Sequence, residues 1–463
     1  MAGPSWQLYI GIVIGVASVI LAGVISGFRS RRSGKSTSGL RSLGTVAVTG
    51  SMIGLATGGA STIGTAQLAY TYGFSAWWFT LGLGLAFWTL LLTGFGKRLY
   101  ESGNVTLSQF IGNEYGRRAA MLSAASVAFG SFLTVVSNIL SGIALVRTIT
   151  PFDQLAAGIT VATIAVAYII FGGMRGSGAT GLVKTTLLLS LCAINAALVL
   201  SSDGGWGALR AALPHGQYFN LISRGAATDL GAGLSLVLGV MTTQTYFQVL
   251  LMSRNLGIHR RVCVLCGVLC PPIGVASVLV GQYMRIHAPD ITPATALPLF
   301  LLQKLPTPIA GFFLGALLIT VVGPIAGLSV GISTNLVRDI YKNLRPDTPE
   351  KTLGRMITAI IAVLPFFGLV CLIGGGGSLI LSWSFLSLGL RGAALMAPLL
   401  GAVYLPGRIP PAFAAAATIT GPVVSMISKL LLTWPVDPVF PGLFASCAVM
   451  AAGYFFGKKR RAA

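Results

Sequence analysis

The sequence predicts an all-α membrane protein of about 13 transmembrane helices, ten of them forming a five-plus-five inverted repeat whose first helices are broken. Three observations carry this. Only 9% of the 463 residues are charged and 54% are hydrophobic, with mean hydropathy +0.84, whereas soluble domains are about 25% charged. Apolar runs of about 20 residues, the length a bilayer demands of a spanning helix, recur along the whole chain. Two of those runs, lying at corresponding places in the two halves, are rich in Gly and Thr at mid-span.

Taken in order, span 6–28 is an extra N-terminal helix. No basic segment precedes it and no small-residue cleavage site follows, so it reads as a retained helix rather than a signal peptide. The first repeat, 44–201, holds spans 44–72, 75–95, 119–147, 153–172 and 178–201. The second, 230–404, holds 230–252, 262–284, 307–337, 355–374 and 378–404. Spans 411–431 and 438–457 close the chain as two C-terminal helices. No soluble domain or long linker interrupts them, so residues 1–463 form one polytopic membrane domain.

A formal charge of +21 would suggest a nucleic-acid partner in a soluble chain. Here the basic residues track the loops, and loop Lys and Arg set topology. With the N-terminus outside and the C-terminus cytoplasmic, 24 of the 31 basic residues lie on the inner side, six lie outside and Arg391 sits within a span. Segments RSRRSGK (29–35), NEYGRR (113–118), RDIYKNLR (338–345) and KKRR (458–461) carry much of that bias. This places the protein in the plasma (inner) membrane with the bilayer as its partner, and excludes DNA binding. The sequon at Asn104 falls in a cytoplasmic loop and should be silent. Six cysteines lying mostly within spans make no disulfide framework. Cys263, Cys266 and Cys270 do share a helix face with His259, but no second cluster joins them. Small thiols are ordinary apolar filler in buried helices, so no metal is expected there.

The stretch GLATGGASTIG, Gly54–Gly64, puts four glycines and three hydroxyl residues inside the first span of repeat 1. Small residues let helices approach closely in lipid. Alternatively, an interrupted helix frees carbonyls to hold a solute or an ion near the midplane. The first span of repeat 2 reads GAGLSLVLGVMTTQTYFQ (231–248) and runs the opposite way. Both helices should be unwound near their middles and face each other across a central cavity. Five spans followed by five of opposite orientation, each set led by a broken helix, is the pattern of secondary transporters.

The run GGASTIGTAQLAYTYGFSAWW, with its Tyr70–Gly73 Tyr-x-x-Gly, resembles the first core helix of the sodium:solute symporter family. YIIFGGMRGSGATGLVK (168–184), the Gln244…Gln248 pair and STNLVRDIYKNL (333–344) resemble later segments in the family's order. The resemblance implies a LeuT-like fold, alternating access and sodium-coupled solute uptake. In the family, sodium is held by two carbonyls at the first break and a Ser/Thr pair on the eighth core helix. Those positions correspond here to Gly54 and Thr57, and to Gly323 and Pro324, so the hydroxyl pair is missing. Reading the match one turn off would supply Ser329, against a gapless match through RDIY. A second departure puts Lys184 near the point where family members carry an acid. Its ammonium either snorkels to the headgroups or occupies the vacated cation position.

Arg391 stands halfway along WSFLSLGLRGAALMAPLLG. A mid-span arginine costs roughly 2.5–3.5 kcal/mol on the lenient insertion scale, so it should face a cavity and a partner. The ten acids all map to loops or span ends. That leaves backbone carbonyls, such as those near GGGG (374–377), a misplaced span, or an anionic group on a solute. Ser61, Thr62, Gln67, Thr242, Thr243 and Gln244 are further candidates to contact solute, although polar side chains also tie membrane helices together. No nucleophile–base set, metal cluster or phosphate loop indicates an enzyme, and no cofactor is expected beyond a possible sodium ion. The expectation is a secondary active transporter for a small organic, carboxylate-bearing solute. The alternatives are a sodium-independent (proton-linked or facilitative) carrier of the same fold, or a sensor that binds solute without moving it.

Overall fold

The computed structural model describes residues 6–32, 43–103, 106–172, 177–202, 204–372, 379–431 and 436–456. Within lipid each backbone N–H and C=O needs an internal partner, which leaves the helix as the economical answer. The main helices are α1 (Trp6–Arg32), α2 (Thr45–Ala56), α3 (Thr65–Tyr72), α4 (Trp78–Leu92), α5 (Arg117–Ile149), α6 (Gln154–Gly172) and α7 (Ser177–Ser201). They continue as α8 (Ala226–Met241), α9 (Gln244–Leu251), α10 (Leu256–His287), α11 (Thr307–Thr334), α12 (Glu350–Val370), α13 (Ile380–Tyr404), α14 (Pro411–Leu431) and α15 (Val439–Phe456). Every one of the expected spans overlaps a described helix or broken pair. Among the described residues nine helices are long and apolar enough to cross a membrane, or ten when the bent pair α8–α9 counts as one. The shorter apolar helices Trp6–Leu21, Thr45–Ala56 and Gln154–Tyr168 answer to the remaining spans.

The first four helices of each repeat pack on their counterparts in the other. The first two of each, α2–α4 and α8–α10, make one layer, and the third and fourth of each, α5, α6, α11 and α12, make another. Helices α7 and α13, the fifth of each repeat, touch both layers. An isolated backbone bridge joins Leu43 to Ser253, with Leu43 N–H donating to Met252 O at 2.9 Å. It ties the start of α2 to the residues just beyond α9, within the first layer.

The N-terminal helix docks through glycines. A Cβ on Gly11 would lie 2.3 Å from Pro308 O, and one on Gly15 would lie 2.1 Å from Phe312 O. Across the contact, a Cβ on Gly311 or Gly315 would lie 2.3 Å from Leu8 O or Ile12 O. Two Gly-x-x-x-Gly faces thus let α1 and α11 meet backbone to backbone.

Candidate functional site at the two helix breaks

The first break comes where α2 ends. Thr57 turns extended (φ −102°, ψ 113°), and both its N–H (2.8 Å) and its hydroxyl (2.5 Å) go back to Ile53 O. Gly58 and Gly59 follow, then a wide turn over Ala60–Gly64 closed by Gly64 N–H on Gly59 O at 2.9 Å. The hydroxyls of Ser61 (2.8 Å) and Thr62 (3.1 Å) both donate to Gly58 O. Here they serve the broken backbone itself. The glycines also permit close packing: a Cβ on Gly58 would lie 2.8 Å from Asn138 Oδ1 and 2.9 Å from Pro324 Cγ. The interruption and the close packing expected of GLATGGASTIG are thus both present in the same residues.

The second break repeats the chemistry. Thr243 is extended (φ −86°, ψ 114°), and the helices either side bend by 51°. Thr242 Oγ1 donates to Leu238 O (2.8 Å) and Thr243 Oγ1 to Gly239 O (2.5 Å). At each break a threonine hydroxyl takes a carbonyl four residues back, the local competition that loosens a helix end.

The side chains at the two breaks are closed off from the surface. Thr57, Ser61, Thr62, Thr242, Thr243, Gln244 and Arg391 are all buried, and a polar chain runs between them. Gly59 N–H donates to Asn138 Oδ1 (3.3 Å) and Asn138 Nδ2 to Thr134 O (2.9 Å). Arg391 Nη2 donates to Thr134 Oγ1 (3.0 Å) and Ser387 Oγ (3.2 Å), Nη1 to Thr243 Oγ1 (2.8 Å), and Nε to Ser387 O (3.3 Å). The guanidinium thus spans α5, α13 and the second break. All these acceptors are neutral oxygens. Among the described residues no carboxylate pairs with Arg391 or with Lys184. The GGGG run (374–377), a sequence candidate for Arg391's partner, lies outside the described residues.

Lys184 does not snorkel. It is 5% exposed, and its Nζ donates to Gly54 O at 2.8 Å. On the opposite side, a Cβ on Gly323 would lie 2.5 Å from that nitrogen. Gly323 thus faces the first break, as the gapless match requires. Ser329, six residues on, points elsewhere round the helix and donates to Ile325 O.

Gln67 and Gln244 have backbone duties. Gln67 Oε1 accepts from Ile380 N–H (2.9 Å) at the start of α13, and Gln244 Oε1 accepts from Leu107 N–H (2.8 Å) at the start of helix Leu107–Tyr115. Each satisfies a helix N-terminus that would otherwise be orphaned. The Cys263/Cys266/Cys270/His259 face is buried, and among the described residues no such group could hold a metal ion.

A family model for the sodium:solute symporter family matches residues 37–410. The chain belongs to that family. A sodium/proline symporter of Staphylococcus aureus is 24% identical over 389 residues, 78% of this chain and 74% of that protein. An uncharacterized symporter of Bacillus subtilis, YwcA, is 26% identical over 196 residues, 41% of this chain and only 37% of its own length. In fold, the chain resembles a sodium-coupled sialic acid symporter captured in a substrate-bound outward-open state. The TM-score is 0.79 at 16% identity, covering 98% of this chain and 97% of that one. A closed nucleobase-cation-symport-1 transporter, Mhp1, aligns with TM-score 0.59 at 13% identity, covering 89% and 92%. The fold is therefore the LeuT-like one, and the protein is a multi-pass membrane transporter rather than an enzyme.

Family membership implies sodium, and the residues at the first break do not fit it. A hard cation wants oxygen ligands, yet Gly323 and Pro324 supply no side-chain oxygen. The Gly54 carbonyl is already bonded to an ammonium.

Sequence reasoning missed the polar face of α5. Gly130, Thr134, Ser137 and Ser141 recur every three or four residues in an apolar span, with Asn138 four beyond Thr134, one stripe of a helix. Ser137 Oγ bonds Ile380 O (2.9 Å) and Ser384 Oγ (2.7 Å), so the stripe holds α13 and its arginine in place. That spacing was the available signal.

Proposed function

We propose that this symporter-family member carries a small organic solute bearing a carboxylate, and that Arg391 is the residue that grips it. One observation supports this above the rest. A guanidinium buried at mid-span has only neutral oxygens as partners, and such a charge favours an anion. A carboxylate can accept two parallel N–H bonds from the planar fork. The names of two relatives point the same way, since proline and sialic acid both carry a carboxylate. An arriving carboxylate would draw the fork away from Thr134 on one layer and Thr243 on the other. That gives the solute the differential contacts with two conformations that alternating access needs. Ser61, Thr62, Thr242, Thr243, Gln67 and Gln244 then line or brace the site. The N-terminus lies outside and the C-terminus in the cytoplasm of a plasma-membrane protein, a placement supported by the bias of basic residues to alternate loops.

Solute counterflow in proteoliposomes, with a panel of carboxylates and their amide analogues, tests the assignment. Carboxylates should exchange and amides should not. Arg391→Lys should weaken apparent affinity at least about tenfold, because a point charge cannot reproduce the bidentate fork. Unchanged affinity in Arg391→Gln would return the residue to a purely structural role.

A further inference from the structure

We propose that the Lys184 ammonium takes the place of the coupling sodium at the first helix break, so that this symporter-family member moves its solute without binding sodium. The backbone is arranged to let the lysine reach. A Cβ on Gly54 would lie 2.9 Å from Gly181 Cα, and one on Gly181 would lie 2.6 Å from Ser51 Cα. Glycine on both sides brings α7 against α2, close enough for Lys184, three residues beyond Gly181, to reach Gly54 O beside the break. Two bonds one turn apart then fix α7 on α2, Thr185 Oγ1 to Gly50 O at 3.0 Å and Lys184 Nζ to Gly54 O at 2.8 Å.

The departures at positions 184, 323 and 324 explain one another. With any side chain at 323, a Cβ would lie 2.5 Å from Nζ, so the ammonium would have to shift from its present seat. A serine or threonine there and the Lys184 ammonium would compete for one place beside the break, and a lysine makes the hydroxyl ligand redundant. Pro324 packs its ring toward Gly58 instead of presenting an oxygen. A sodium ion offered to the same spot would meet a like charge and a carbonyl already in use. The tethered cation keeps the structural role of bridging the break to α7 and α11. An ion that cannot leave also cannot carry a gradient's free energy into the cycle, because only differential binding shifts a conformational equilibrium.

The inference rests on the transporter reading but not on the identity of the solute, and its test needs no solute. Purified protein in detergent should show no saturable ²²Na⁺ binding, and its melting temperature should be the same in sodium and potassium chloride at equal ionic strength. Saturable ²²Na⁺ binding by the unmodified protein overturns the proposal. So does counterflow that sodium activates and potassium does not. The triple variant Lys184→Gln/Gly323→Ser/Pro324→Ser removes the ammonium and restores two hydroxyls. It should acquire a sodium-dependent rise in melting temperature. A folded triple variant that stays indifferent to sodium overturns the lysine as the occupant of the site. Failure of the carboxylate panel would leave these ion measurements standing on their own.

Discussion

Arg391 and Gly130 are a matched pair. A Cβ on Gly130 would lie 2.5 Å from Arg391 Cγ and 3.2 Å from Ser387 O, so only glycine on α5 leaves room for the arginine stem. Interiors packed at crystal density transmit such a change rather than absorb it. Gly130→Val should therefore push the guanidinium off Thr134 and Thr243 and lower solute affinity at least about tenfold. Counterflow against the carboxylate panel reads this, and a normal size-exclusion profile shows that the variant is folded. Undiminished affinity would mean that the fork's position does not matter to binding. At this scale the two cations were legible in the sequence, because a charge in an apolar run stands out on energetic grounds alone. Their partners were not. Serine and threonine are common in membrane helices and mostly satisfy backbone carbonyls of their own helix, as Ser329 does on Ile325 and Thr320 on Ala316. Nothing in composition separates those from Thr134 and Thr243, which also hold the arginine.

The elements divide in the same way. Both helix breaks were visible, since glycine and threonine clusters at mid-span weaken a helix wherever it lies, and the unwound residues fall inside the two quoted stretches. The wide turns at Ala60–Gly64 and Asn335–Tyr341 left no comparable mark, because they depend on hydrogen-bond register and not on residue type. Docking of α1 was half visible. Gly11/Gly15 and Gly311/Gly315 both stand in the sequence as Gly-x-x-x-Gly, but a motif does not name its partner across some 300 residues. The structure makes the pairing specific enough to break. Gly15→Leu would drive a side chain into Phe312 O, already 2.1 Å from an ideal Cβ, and the helices would have to part. The expected outcome is a lowered melting temperature and easier proteolysis ahead of residue 44, with Arg391-dependent solute binding kept. Loss of binding together with the helix would instead make α1 part of the transport core.

On the scale of the whole molecule, the two cationic side chains stand on equivalent helices. Lys184 projects from α7, the fifth helix of its repeat, and Arg391 from α13, the fifth of the other. Each reaches a break in the first layer while also meeting the second. Lys184 bonds Gly54 O and abuts Gly323, and Arg391 bonds Thr243 and Thr134. If transport is a rocking of one layer against the other, both cations sit on the surface that slides. Links within a layer should then be harmless and links between layers should not. An ideal Cβ on Gly331 of α11 lies 3.1 Å from Thr245 Cγ2 of α9. No other atom of Thr245 comes within 4 Å, so the two Cβ atoms are between 4 Å and about 4.6 Å apart, at the upper end of the roughly 3.5–4.5 Å of a disulfide. Thr245→Cys/Gly331→Cys, with the exposed Cys371 and Cys447 changed to serine, should stop counterflow when oxidised and recover it in reductant. Leu43→Cys/Ser253→Cys replaces a bridge inside the first layer and should run normally whether oxidised or reduced. Arrest by the second pair, with free running of the first, would show that the moving bodies are divided along some other surface.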